Sequence, residues 1–299
     1  MSPHSWRLWD PKTENDDLIQ DAVLQAWLSQ VPPWRKAVGN HKLPGDDDLF
    51  KAALKREEKG ETWIVPAADS DDFERIIQRI HMALWLRRPL LVEGAPGIGK
   101  SSLAYALAYR FGLGRVLKWE ISSRSRKQDG LYSYDSVSHF RQIQENQSGG
   151  NPEETSEISN FIRLGPLGSA LLGGDKLGDF LKPRVLLVDE LDKADYDLPN
   201  DLLHVLEDAK FEISELPGNL NSVIETHEGW QTNAVQKQII CNAHPVVVIT
   251  SNSIVVFVKQ HPTSPRRVNP TNYKRADILR LGNCVGPAQH NTKTPPLAS

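Results

Sequence analysis

The sequence predicts an α/β protein, with helices packed on both faces of a mainly parallel β-sheet in three α/β/α layers. Short continuous runs of Val, Ile and Leu alternate with stretches of helical periodicity, as expected of strands that crossover helices bury on both faces. A glycine-rich turn joins one such run to a helix, and a pair of carboxylates ends another, which is where open α/β sheets bind ligands.

Residues 1–69 are polar, acidic at 46–48, and hold Trp6, Trp9, Trp27, Trp34 and Trp63 of the eight tryptophans. They read as an irregular lead-in with one helix over about 16–29, stopped by Pro32 and Pro33. The ordinary role of the tryptophans is to anchor this arm on a core; a partner site is the alternative. Residues 70–252 carry the α/β pattern. Phe73, Ile76, Ile77, Ile80 and Leu84 lie at helical spacing, and residues 89–93 make a strand feeding a helix at 101–111. Further strands are expected at 116–121, 185–188 and 246–250, and a helix at 198–208. The polar stretch 148–159 reads as a loop in an insertion between the second and third strands. Residues 253–299 are basic and Pro-rich, with Lys or Arg at 259, 266, 267, 274, 275, 280 and 293 against one acid, Asp277.

With 35 Lys and Arg against 38 Asp and Glu, the net charge of −3 gives no general attraction to nucleic acid or anionic lipid. Cys241 and Cys284 cannot build a disulfide scaffold, and a reducing compartment is expected. No stretch approaches the roughly 18 apolar residues that span a bilayer, so the expectation is a cytoplasmic protein with no membrane contact.

Gly94, Ala95, Pro96, Gly97, Ile98, Gly99, Lys100 and Ser101, leading into Ser102, fit the P-loop pattern. Glycines let backbone N–H groups curl round a phosphate, and a helix N-terminus adds its positive dipole. Lys100 would reach the terminal phosphates, and the Ser101 hydroxyl would bind magnesium. Val185, Leu186, Leu187 and Val188 form a buried strand that delivers Asp189 and Glu190. Asp189 would hold the metal, and Glu190 would polarise the attacking water. The strand over 246–250 leads to Asn252, which in this company can orient that water. Cys241 and His244 have a metal-like spacing but no second pair, so a structural role is expected. Arg124 and Arg126 read as surface arginines, with contact to nucleotide or a neighbouring subunit as the alternative.

These residues resemble the Walker A (94–101), Walker B (185–190) and sensor 1 (250–252) motifs of AAA+ ATPases. The text at 121–135, 161–168, 189–195 and 198–203 is similar to the MoxR type, and the likeness covers roughly 70–252. The resemblance implies ATP and Mg2+ as ligands, a helical insertion after the second strand, and a β-hairpin before sensor 1, here between 211–216 and 238–241. It also implies a homo-oligomeric ring that remodels a protein partner, in many members one with a von Willebrand factor A domain. Family members continue after sensor 1 into an arginine finger and a helical lid. This chain has instead Ser253, Ile254, Val255, Val256, Phe257, Val258 and six prolines, which oppose a long helix. A frameshift or truncation after Asn252, or natural divergence, would each account for that, and Arg266 with Arg267 is a weak substitute finger. An ATPase motor and a nucleotide-dependent switch with feeble hydrolysis are the two functional expectations.

Overall fold

A computed structural model describes residues 8, 19–35, 39, 43, 47–60, 71–147, 157–218, 221–252 and 279–281. In chain order the elements are α1 (Asp21–Ser29), α2 (Asp48–Ala53), α3 (Asp71–Leu86), β1 (Leu90–Glu93), α4 (Ser102–Phe111) and β2 (Leu117–Glu120). An excursion follows, of α5 (Lys127–Leu131), β3 (Tyr132–Tyr134), α6 (Ser136–Gln147), β4 (Ile162–Leu164), α7 (Pro166–Ala170), β5 (Lys176–Leu177) and β6 (Phe180–Leu181). The chain then makes β7 (Val185–Asp189), α8 (Leu198–Asp208), β8 (Lys210–Glu212), β9 (Ser222–Glu225), β10 (Gln231–Ala234), β11 (Gln238–Ile240), β12 (Val246–Ser251) and β13 (Leu279–Leu281).

The central sheet has the order β13-β1-β12-β7-β2, and every described neighbour is parallel. Its apolar runs divide by the two-residue period of a strand. Leu91, Leu186, Val188, Val247 and Ile249 face one core with α7 and α8, while Leu90, Val92, Val185, Leu187, Val246 and Val248 face another with α3 and α4. Both faces are buried, so both residue sets must be apolar, and the run reads as continuous. Helix α4 stops at Gly112, which takes the left-handed conformation at φ 57° and ends the helix cleanly.

The lead-in is part of this core. Trp27 is fully buried, donates from Nε1 to Leu84 O at 3.1 Å, and packs against Phe111. Phe50 of α2, whose helix is capped by Asp47, meets Trp230 edge-on at 5.0 Å on the opposite face of the sheet. Anchoring therefore describes Trp27, whereas Trp34 is 62% exposed; Trp6, Trp9 and Trp63 lie outside the described residues.

The insertion is not simply helical, as the resemblance led us to expect. Alternating burial in Ile162, Arg163 and Leu164, and in Val223, Ile224 and Glu225, suits half-buried strands. Together with β3 and β10 they build a second sheet of order β10-β9-β4-β3. The expected hairpin is present as the antiparallel pair β8 and β11, with Phe211 opposite Ile239, but a second hairpin, β9 and β10, is inserted within it. Within the segment read as an atypical tail, Leu279–Leu281 is a parallel strand beside β1. The remainder of 253–299, with Arg266 and Arg267, and most of the loop at 148–159, lie outside the described residues. No described helix is long and apolar enough to cross a membrane.

Candidate functional site

The chain leaves β1 for the far edge at β2, returns through β7 to β12 beside β1, and then crosses to β13 on the other side. Connections thus diverge at the carboxyl end of β1, the position where open α/β sheets form a ligand crevice. The glycine-rich turn occupies it. Gly97 and Gly99 hold φ of 80° and 83°, a region costly for any residue with a Cβ. A Cβ at Gly97 would meet nothing within 4 Å, so conformation and not crowding demands glycine there, and the turn's outer face is open. At Gly94 φ is 156°, a conformation L side chains rarely adopt, and a Cβ would also lie 2.2 Å from Ile98 Cδ1, which would have to shift.

Lys100 is buried beneath the turn and donates to Gly94 O (3.0 Å), Ala95 O (2.8 Å) and Asn252 Oδ1 (2.8 Å). Ser101 Oγ donates to Asp189 Oδ1 at 2.8 Å. The P-loop, the carboxylate pair and Asn252, separated by up to 152 positions, are therefore brought within direct hydrogen-bonding distance. Glu190 lies next to Asn252 Nδ2 at 3.5 Å and pairs with Lys193.

Four supporting residues were not singled out from sequence. Thr250 Oγ1 donates to Asp189 Oδ1 (2.6 Å) and accepts from the Glu190 N–H (2.9 Å), which ties the two carboxylates' positions together. Asp192 Oδ1 accepts from the Asn252 N–H at 3.0 Å. Lys118 Nζ approaches Asp189 Oδ2 at 3.2 Å, and Lys193 holds Glu190. The cue in the sequence is that Thr250 opens the stretch 250–252, Asp192 and Lys193 follow Glu190 within 189–195, and Lys118 stands on a strand beside the site. Glu190 itself adopts a left-handed backbone, φ 62° and ψ 47°, which costs a non-glycine residue about 1–3 kcal/mol and clusters at functional sites. Burial is the largest influence on Asp189 and raises its pKa, but hydrogen bonds from Thr250, Ser101 and Lys118 with the Lys118 charge outweigh it, leaving the carboxyl below its usual range.

The structure also places the other sequence candidates. Burial pushes the Cys241 thiol up to about 12 and His244 down to about 4, and no group of three metal-binding side chains occurs among the described residues. Arg124 and Arg126 are exposed.

No protein-family model matches the chain, and no curated protein does. Among solved structures, the chain is similar to a candidate ATPase from Cytophaga hutchinsonii, with 14% identity, a TM-score of 0.35, and coverage of 74% of this chain and 47% of that one. It is also similar to NtrX from Brucella abortus in complex with ADP, with 13% identity, a TM-score of 0.28, and coverage of 69% and 34%. The chain thus spans less than half the length of either. Fold and site together define a P-loop protein of the three-layer α/β/α class.

Proposed function

We propose that the crevice binds ATP with Mg2+ and hydrolyses it, as in an AAA+ ATPase of the MoxR type. The observation that carries this reading is the direct joining of P-loop to carboxylate strand through Ser101 and Asp189, with Lys100 bonded to Asn252 beside them. The donor set fits a magnesium nucleotide. Ser101 and Asp189 offer hard oxygen ligands 2.8 Å apart, and the glycine turn leaves open the side on which phosphate would lie.

Magnesium, when bound, would neutralise charge developing on the phosphates. The chain's own residues do the rest. Backbone N–H groups of Gly97, Ile98, Gly99, Lys100, Ser101 and Ser102 receive phosphate oxygens at the start of α4, and Lys100 binds the terminal phosphates. Glu190 accepts the proton of the attacking water at Oε1, the oxygen that faces Asn252 Nδ2, and Asn252 orients that water. Hydrolysis then drives rearrangement of a partner protein by a homo-oligomeric ring in the cytoplasm; a partner with a von Willebrand factor A domain fits the resemblance.

The sequence after Asn252 favours a second reading, a nucleotide-dependent switch. It carries Ser253 to Val258 where the resembled family carries its finger, and an arginine finger is worth about 10³–10⁵ in rate. Steady-state phosphate release against protein concentration, with Glu190→Gln as control, distinguishes them. Turnover per chain that rises with concentration and vanishes in the variant supports the ring motor. Tight ATP binding without turnover supports the switch, and absence of nucleotide binding refutes both.

A further inference from the structure

We propose that Lys118 is a resident cation of the metal position, which shares Asp189 with magnesium and so sets how much magnesium the site demands. The inference rests on the nucleotide-binding reading above and deepens it.

Lys118 and Glu120 stand two apart on β2, on the same face of the strand, while Trp119 between them is buried in the opposite core. Register places Glu120 directly opposite Asp189. From this position the Lys118 ammonium reaches Asp189 Oδ2 at 3.2 Å and also bonds Glu120 Oε1. Asp189 Oδ1 is taken on its other side by Ser101 and Thr250. Both oxygens of the carboxylate are thus engaged by the protein itself. A hydroxyl hydrogen bond is readily exchanged for a metal bond, since the Ser101 oxygen can turn its lone pair. An ammonium cannot make that exchange: it stays positive, and a divalent ion on the same carboxylate binds against its charge. Glu120, at the exposed rim, draws part of that charge away; the Lys118 and Glu120 side chains are 37% and 76% exposed, so the balance is set at the edge of the site and can be altered without disturbing the core.

The test is a titration of ADP affinity against free Mg2+, followed by fluorescence of a labelled ADP, with affinity in EDTA as the metal-free reference. Lys118→Met is expected to lower the Mg2+ concentration that half-saturates the metal-dependent gain in affinity by roughly tenfold, the order for one unit charge beside a divalent ion in a water-screened site. Lys118→Arg keeps the charge and the wild-type midpoint. Glu120→Gln moves the midpoint upward by about threefold, and this shift is smaller in the Lys118→Met, Glu120→Gln double variant, because part of the effect of Glu120 passes through Lys118. A midpoint unchanged or raised in Lys118→Met, or a Glu120→Gln shift that is undiminished in the double variant, overturns the proposal. Wild-type protein that binds no ADP in EDTA or in Mg2+ overturns the nucleotide reading and this inference with it, whereas ADP binding whose metal dependence ignores residue 118 overturns this inference alone.

Discussion

The two ends of the central sheet both concentrate charge, and they handle it in opposite ways. At the carboxyl ends, Lys100, Ser101, Asp189, Thr250 and Asn252 bond to one another through side chains, at 2.6–2.8 Å. At the amino ends, arginines precede the strands and are sealed. Arg184, just before β7, has no exposure; its two terminal nitrogens meet the two Glu228 oxygens at 2.8 and 2.7 Å, and it also donates to Arg115 O and Ala53 O. Arg87, before β1, lies 3.7 Å above the Trp27 ring and donates to Trp27 O, and burial lowers its pKa to about 9, so it remains charged at neutral pH. Contacts of the first kind can be exchanged for a ligand. Those of the second kind fix where the lead-in, the β9–β10 turn and the chain entering β2 meet, because Ala53, Glu228 and Arg115 belong to those three parts.

Separating chemistry from stability is the sharpest way to break this contrast. Glu190→Gln is expected to reduce ATP turnover by about 10²–10⁴ while ADP affinity and melting temperature stay near wild type. A variant that loses stability instead would show that the carboxyl end is also structural. Glu228→Ala should do the reverse. It leaves the buried Arg184 cation without its carboxylate, a loss of about 3–5 kcal/mol, and a fall in melting temperature of roughly 10 °C in calorimetry. The ADP affinity of the protein that remains folded should not move; a large change would mean that the two ends are coupled.

The same contrast explains what could be read from sequence. At the carboxyl end, Gly94 to Ser101 stand out because their spacing suits a backbone turn that can curl round a phosphate, and Asp189, Glu190 and then Asn252 gain their meaning only in company with that turn. The parallel strands were legible because two-sided burial forces continuous apolar runs, as in Val185 to Val188. Arg184 carries no such mark: a single arginine before a strand looks like any surface residue until the fold brings Glu228, 44 positions away, against it. Likewise the second, mixed sheet rests on strands of three residues, β3 and β4, and of four, β9 and β10, too short for a periodicity to register. Strand β13 escaped notice because three residues amid basic, Pro-rich text give no pattern of their own, and β1 selects them by pairing.

A milder probe of the amino end uses pH. Burial, and then the charges of Arg35 and Arg87, hold His244 at about 4, below the ordinary 6.5. Above pH 6.5 folded and unfolded chains both carry it neutral, so it contributes no pH dependence there. As pH falls below 6.5 the unfolded chain takes up the proton first, and stability is lost progressively down to about pH 4. The loss reaches about 2 kcal/mol at pH 5. Urea unfolding at pH 7 and pH 5 should therefore show a smaller drop for His244→Gln than for wild type, since carboxylate contributions are common to both. Equal drops would mean that His244 is protonated in the fold and that the amino end is less sealed than the arginines indicate.

The smallest effect belongs to Asp192, which touches neither the Ser101–Asp189 contact nor any sealed arginine. Its Oδ1 accepts the Asn252 N–H, a bond worth about 0.5–1.5 kcal/mol net, so it fixes the backbone from which Asn252 reaches Lys100 and Glu190. Asp192→Ala removes the acceptor and should lower kcat several-fold while KM for ATP and ADP affinity stay unchanged, because Lys100 and the P-loop keep their own contacts. Asp192→Asn retains an oxygen at the same place and should restore most of the rate. If Asp192→Asn is as slow as Asp192→Ala, the charge of Asp192 and not its hydrogen bond is what matters. If both raise KM, Asn252 positions the nucleotide and not the water, which would divide the carboxyl-end residues differently from the roles given above.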